Sequence, residues 1–214
     1  MADGDQEIRA PIALAGGVLD RYRHICAFVN SKDEEHRIFD PFVIEGLASG
    51  DTLSFIIDPK GTADWVRHFR QLGLDVPTLL RQGRFELQTW HEAHLHGGRF
   101  DQDAMLVLLD ELMGRYQSPR MRVVADMGWA IEQQGVRDRL LEYEVRANTI
   151  VSKYEHVGIC VYDTTKFGAD FVIDVLRTHP VALVGGVLRI NPFFVPATEY
   201  LAEVRSRDQG AQGV

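Results

Sequence analysis

Short apolar runs and longer stretches with an apolar residue every three or four positions alternate along the chain. The first kind reads as strands, at 23–29, 52–57, 84–90, 121–125, 156–163 and 181–190, and the second as helices, at 34–50, 62–72, 101–116, 136–154 and 169–178. Ser31 with Glu34 three residues later forms a capping box for the first long helix, in which Pro41 is expected to cause a kink or to shift the start. Asp75-Val76-Pro77 opens a short helix, and Asp101 can cap the next long one. Gly185-Gly186 splits the last β segment as a bulge or a hairpin turn. Strands joined by crossover helices predict an α/β fold with a mostly parallel sheet. A single domain over 21–205 is expected, with an arm at 1–20 and a tail at 206–214; 1–6 and 207–214 read as frayed ends.

Side chains alternate between the faces of a strand, so His24 and Cys26 share one face of the first strand, and Cys160 and Tyr162 share one face of the fifth. These two strands carry the chain's two cysteines. In an open parallel sheet, ligands collect beyond the C-terminal ends of strands, which draws attention to Asn30, Asp58, Asp126, Trp129 and Asp163. A nucleotide-binding domain would place a glycine-rich loop after the first strand, to bring backbone N–H groups against phosphate. Here that loop reads Asn30-Ser31-Lys32-Asp33-Glu34-Glu35, which has no glycine and carries three acids.

Charge removes further classes. The 23 basic against 31 acidic residues give a net charge of −8, the wrong sign for tracking a nucleic-acid backbone. No apolar run is long enough to span a bilayer and the first residues are acidic rather than signal-like, so a cytoplasmic location without membrane contact is expected. Two cysteines make no disulfide framework, and without a Cys-x-x-Cys pair they read first as buried free thiols.

Other constellations are weaker. His91 and His94 flank Glu92, but a helical zinc motif needs histidines four apart, so 91–96 reads as a solvated loop with adventitious metal affinity. His24, Cys26, Cys160 and His179 could meet at a metal only if the two cysteine strands are neighbours and His179 folds back over them. A cysteine in mid-strand lacks the helix terminus or positive surroundings that would make it a nucleophile. His179 is equally well explained as the favourable end of a helix, and Trp129, Trp90 and Tyr162 as core or as pocket walls.

His24-Ile25-Cys26-Ala27-Phe28-Val29-Asn30 and Cys160-Val161-Tyr162-Asp163 resemble the MEDS family, the methanogen/methylotroph sensory domain found in a dichloromethane-responsive repressor. Gly98-Arg99-Phe100-Asp101, Asp126-Met127-Gly128-Trp129-Ala130, Arg177-Thr178-His179-Pro180 and Asn191-Pro192-Phe193-Phe194-Val195-Pro196 extend the resemblance over about 20–202. It implies a three-layer, RecA-like, mostly parallel fold with a degenerate phosphate loop, and a sensor of small hydrocarbon derivatives whose marked positions are His24, Cys26, Cys160, Tyr162 and Asp163. Relatives join such a sensor to a DNA-binding or histidine-kinase domain, for which this chain has no room. Its output is therefore expected to pass through a separate kinase, anti-sigma factor or transcription regulator, or through self-association.

The expected protein is a regulatory domain rather than an enzyme, with no cofactor and no metal. It would bind a small organic ligand at the C-terminal edge of the sheet through His24, Cys26, Asn30, Asp126, Trp129, Cys160, Tyr162, Asp163 and His179. The competing readings are residual nucleotide binding, with Asp126 on magnesium and Glu34 or Glu45 in a rebuilt site, and a ligand-free protein–protein module.

Overall fold

The computed structural model describes residues 11–115 and 119–211. A seven-stranded sheet forms its centre, built from β3 (His24–Val29), β4 (Thr52–Ile57), β5 (Phe85–Thr89), β6 (Met121–Asp126), β7 (Val157–Asp163), β8 (Val181–Val184) and β9 (Val187–Ile190) in the order β5-β4-β6-β7-β3-β8-β9. All neighbours are parallel except β8 and β9. A hairpin of β1 (Ile12–Leu14) and β2 (Gly17–Leu19) precedes it. The helices are α1 (Lys32–Ala48), α2 (Thr62–Gln71), α3 (Val76–Arg81), α4 (Trp90–Ala93), α5 (Gln102–Arg115), α6 (Trp129–Glu132), α7 (Arg137–Val151), α8 (Ala169–Leu176) and α9 (Ala197–Ala211).

Period-two alternation divides the interior into two cores. Ile25, Ala27 and Val29 of β3, with Leu53, Phe55 and Ile57 of β4, face Phe39, Phe42, Trp65 and Phe69 on α1 and α2. Cys26 and Phe28, with Val123, Ala125, Cys160 and Tyr162, face the opposite layer of α5, α7, α8 and α9. With helices on both faces, β3 and β4 are buried at every position, which is why they read as continuous apolar runs. The architecture is the three-layer, mostly parallel α/β sheet that the alternation and the resemblance led one to expect.

Several local expectations needed revision. Within the arm expected at 1–20, residues 12–19 form a hairpin. Its turn, Ala15-Gly16, has positive φ at both positions, the two-residue geometry that suits strand twist, and it delivers Ile12, Leu14 and Leu19 to the first core. The signal is only three residues per strand, too short for periodicity to register. Gly185-Gly186 makes the same kind of turn, so of the two readings of the last β segment the hairpin holds. Pro41 lies within α1 without ending it; it is on the exposed side, where water can satisfy the carbonyl it leaves unbonded. The tail expected to fray continues as α9 to Ala211, while 1–6 and 212–214 lie outside the described residues.

The segment 91–96 is not a solvated loop throughout. Thr89 and Glu92 form a reciprocal capping box on α4, and His94 is buried with its ring stacked on Trp129 at 5.3 Å. His91 and Glu92 remain exposed.

Candidate functional site

β3 and β7 lie side by side in parallel register, pairing His24 with Gly158, Cys26 with Cys160 and Phe28 with Tyr162. The bare Gly158 leaves space for the imidazole opposite: a Cβ there would stand 3.7 Å from His24 Cδ2. His24 leans diagonally to Cys160, with Nε2 3.6 Å from Sγ. His179 does fold back, held in the turn between α8 and β8, with its ring centroid 4.3 Å from that of His24. The two cysteine strands are therefore neighbours, and His24, Cys26, Cys160, Tyr162 and His179 gather on one face of the sheet.

Sequence reading missed the residue at the centre. Glu144, fully buried on α7, places Oε2 3.3 Å from His24 Nε2, 3.5 Å from His179 Nε2 and 3.6 Å from Cys160 Sγ. Tyr162 donates its hydroxyl to the other carboxylate oxygen at 2.9 Å. A signal for it existed: Leu140, Glu144, Ala147 and Val151 recur at helical spacing, so a carboxylate interrupts an apolar stripe. A buried carboxylate in such a stripe requires partners.

The hydrogen-bond network fixes both imidazole tautomers. Asn148, one turn beyond Glu144, donates its amide to the carbonyls of Glu144, Val145 and Thr178, which leaves Oδ1 to accept from His24 Nδ1 at 3.1 Å. The Thr178 hydroxyl donates to the Val175 carbonyl at 2.8 Å, so it accepts from His179 Nδ1 at 2.8 Å. Both rings thus carry the Nδ1 proton and turn Nε2 toward the carboxylate and thiol. His156 differs: its Nδ1 accepts from the Met121 N–H and its Nε2 donates to the Met113 carbonyl, so backbone engages both nitrogens of a core histidine.

Burial opposes ionisation of Glu144, but the neighbouring His179 and His24 outweigh it and hold the carboxyl well below the usual carboxylate range. Burial, reinforced by the Glu144 charge, pushes the Cys26 and Cys160 thiols and the Tyr162 phenol up. Burial and the adjacent His24 ring lower His179, against the pull of Glu144. The cluster is built around one anion.

His24 and Cys160 of this cluster border a cavity of about 270 Å³ between the sheet and helices α5 and α7. Met105, Leu109 and Leu112 of α5, Val123 and Ala125 of β6, and Tyr143 and Ala147 of α7 line its apolar walls, with His24 and Cys160 among its polar lining. Exposed Gln88, Glu92, Glu111 and Arg115 also border it and mark the side nearest solvent.

The remaining expected residues lie elsewhere. His24 begins β3 and Asn30 follows its end, about 20 Å away at roughly 3.3 Å per residue. Asn30 gives its N–H to Glu34 at 2.8 Å. Asp163 closes a turn by accepting from the N–H and hydroxyl of Thr165, and Asp126 accepts from the Gly128 N–H. Trp129 is buried against Phe100 and His94, part of the core rather than a wall of the His–Cys cluster. Alternation fixes which face a side chain takes but not its height along the strand, so residues expected to meet at one edge divide into two groups.

At the strand ends, the place of a phosphate loop is filled from within the protein. Ser31 Oγ accepts from the Glu34 N–H, and buried Glu35 pairs with Lys32 at 2.6 Å. Lys32, Glu35, Asp126, Asp163 and Lys166 surround only about 30 Å³, room for about one water. Burial raises the Glu35 and Asp126 carboxyls despite the nearby lysine. Glu45 belongs to a different network, 2.6 Å from Arg122.

These features define an α/β domain with a buried polar cluster that borders a largely apolar cavity. Residues 23–180 match the family described as MEthanogen/methylotroph, DcmR Sensory domain, and the chain belongs to this MEDS family. It is similar to the transcriptional repressor DcmR of Methylorubrum extorquens (strain DSM 6343 / CIP 106787 / DM4), with 25% identity over 173 residues, 79% of this chain and 63% of that protein. The chain thus spans under two thirds of that relative's length. In fold it is similar to the crystal structure of uncharacterized protein PH0321 from Pyrococcus horikoshii in complex with an unknown peptide, with a TM-score of 0.55, 14% identity and 77% of each chain covered. The chain is a sensory, regulatory domain by family. Among the described residues no helix is long and apolar enough to cross a membrane.

Proposed function

We propose that this domain is a non-enzymatic sensor of a small, largely apolar organic molecule, held between the sheet and helices α5 and α7 rather than at the strand ends. The observation that carries this reading is the cavity of about 270 Å³, lined largely by apolar side chains with His24 and Cys160 among its polar groups. A dry cavity of about 150 Å³ accepts benzene, so this one suits a molecule of about ten heavy atoms. Such a ligand gains affinity from buried apolar area and orientation from the imidazole and thiol.

The domain would signal by population shift, the ligand favouring whichever placement of α5 against α7 encloses it, to the extent of its differential affinity. The output partner in this proposal is a regulator of transcription, a kinase or an anti-sigma factor, or a second copy of the chain, in the cytoplasm. The repressor to which the chain is similar supports transcriptional control as the setting.

A calorimetric and thermal-shift screen of halogenated and oxygenated one- to eight-carbon compounds tests the reading. A saturable rise in melting temperature for a compact subset is expected. A flat response across the panel, in protein whose cavity also excludes xenon, refutes it.

A further inference from the structure

We infer that His24, Glu144, Cys160 and His179 form a binding site for a single borderline transition-metal ion, for which Zn²⁺ is the best match. One ligand atom from each residue lies within 4.8 Å of all the others, and all four residues are buried. Four of the six separations, 3.3 Å (His24–Glu144), 3.5 Å (His179–Glu144), 3.6 Å (Cys160–His24) and 3.6 Å (Cys160–Glu144), are those of ligands sharing one centre, and the two from His179 to His24 and Cys160 are no more than 4.8 Å. Zinc bonds of about 2.0–2.3 Å to nitrogen, oxygen and sulfur give a tetrahedron with edges of roughly 3.3–3.6 Å.

Three further observations agree. His179 Nε2 is buried and makes no hydrogen bond, although it points at the carboxylate. Asn148 and Thr178 hold the Nδ1 proton of both imidazoles and turn Nε2 inward, the arrangement that outer partners impose on metal-binding histidine. Wherever Nε2 is itself unprotonated, its lone pair faces the carboxylate and repels it unless a cation stands between them. Tyr162 occupies one oxygen of Glu144 and leaves the other for a single bond to the ion. A thiolate with two imidazoles suits zinc or copper(I), and the carboxylate oxygen tips the set toward the divalent ion.

Binding would displace the Cys160 proton to solvent, the sulfur joining as thiolate. Four protein ligands close the tetrahedron and leave no position for a reacting water, so the ion would clamp β3, β7, α7 and the α8–β8 turn together rather than perform hydrolysis. Cys26, whose Sγ is directed to the Val181 carbonyl at 3.7 Å, stays outside the set. The ion would engage the imidazole and thiol that the sensory reading turns toward the cavity, but its test uses the ion alone, so failure of this inference and failure of that reading are distinguishable.

The full chain, purified without an affinity tag, stripped with chelator and kept reduced, is titrated with Co²⁺ and then Zn²⁺. One ion per chain is expected, with the intense visible bands of tetrahedral cobalt and a thiolate-to-metal charge-transfer band, all displaced by Zn²⁺. Cys160→Ser should abolish the charge-transfer band and Cys26→Ser should preserve it, while His179→Gln should weaken binding at least tenfold. Wild-type protein with native circular dichroism that takes up far less than one ion, or shows no charge-transfer band, overturns the inference even if Cys160→Ser does not fold. A band that survives Cys160→Ser and vanishes in Cys26→Ser overturns it as well.

Discussion

Filling the cavity should separate ligand binding from folding. Ala147 is buried on α7 and lines the cavity, so Ala147→Phe projects six more carbons into it. At about 30 Å³ per water-sized group these occupy roughly 180 Å³. About 90 of the original 270 Å³ would remain, too little for a molecule of about ten heavy atoms. Burying the ring contributes about 2 kcal/mol. Lost rotamer freedom and imperfect fit offset that by about 1–3 kcal/mol, so stability should change by no more than about 1 kcal/mol. A ligand at about 100 times its Kd stabilises the wild type by about 2.7 kcal/mol. In a domain of this size that raises Tm by about 5–11 °C, at about 2–4 °C per kcal/mol. Scanning calorimetry with and without the best compound from the screen should show that rise in wild type and none in Ala147→Phe. A variant that retains the full ligand-induced rise shows that the ligand binds elsewhere. One destabilised by more than about 3 kcal/mol shows that the space beside Ala147 does not exist.

Three other expectations concern the frame around the site. Asp51 is buried and accepts from Arg120 at 2.8 Å and Arg122 at 2.7 Å, so Asp51→Ala removes the carboxylate that two buried guanidinium groups share and should lower stability by about 3–5 kcal/mol in urea titration, whereas a loss under about 1 kcal/mol would refute the buried network. Gly46→Ala would set a Cβ 2.9 Å from Arg122 Nε; helix propensity alone predicts a gain, so a measured loss of about 1–3 kcal/mol is the signature of this close packing, and a gain contradicts it. Burial raises the Asp126 carboxyl above its ordinary 3.8, so its ionised form is unfavourable in the folded state at neutral pH and the strain is released as pH falls through the raised value. Stability measured from pH 7 down to pH 3.8, the ordinary value, should therefore rise more in wild type than in Asp126→Asn, which keeps the bond from the Gly128 N–H; equal slopes over that whole range would refute the assignment.

The sequence by itself determined the class of the fold, because fully buried parallel strands must be written as short apolar runs and their crossover helices as longer amphipathic ones. It also determined that His24 and Cys26 share a face of their strand, that Cys160 and Tyr162 share a face of theirs, and that the first crossover is too acidic and too poor in glycine to hold phosphate. The order β6-β7-β3-β8 was decided only in three dimensions, and with it the adjacency of the two cysteine strands and the return of His179 over them. Glu144 entered for the same reason: a helix records which of its faces is apolar, but which strand residues that face will meet depends on the crossover that docks it. Asn30, Asp126 and Asp163 separated from the cluster because position along a strand is set by parallel register, which comes from pairing with a distant segment and leaves no local mark on the residues themselves.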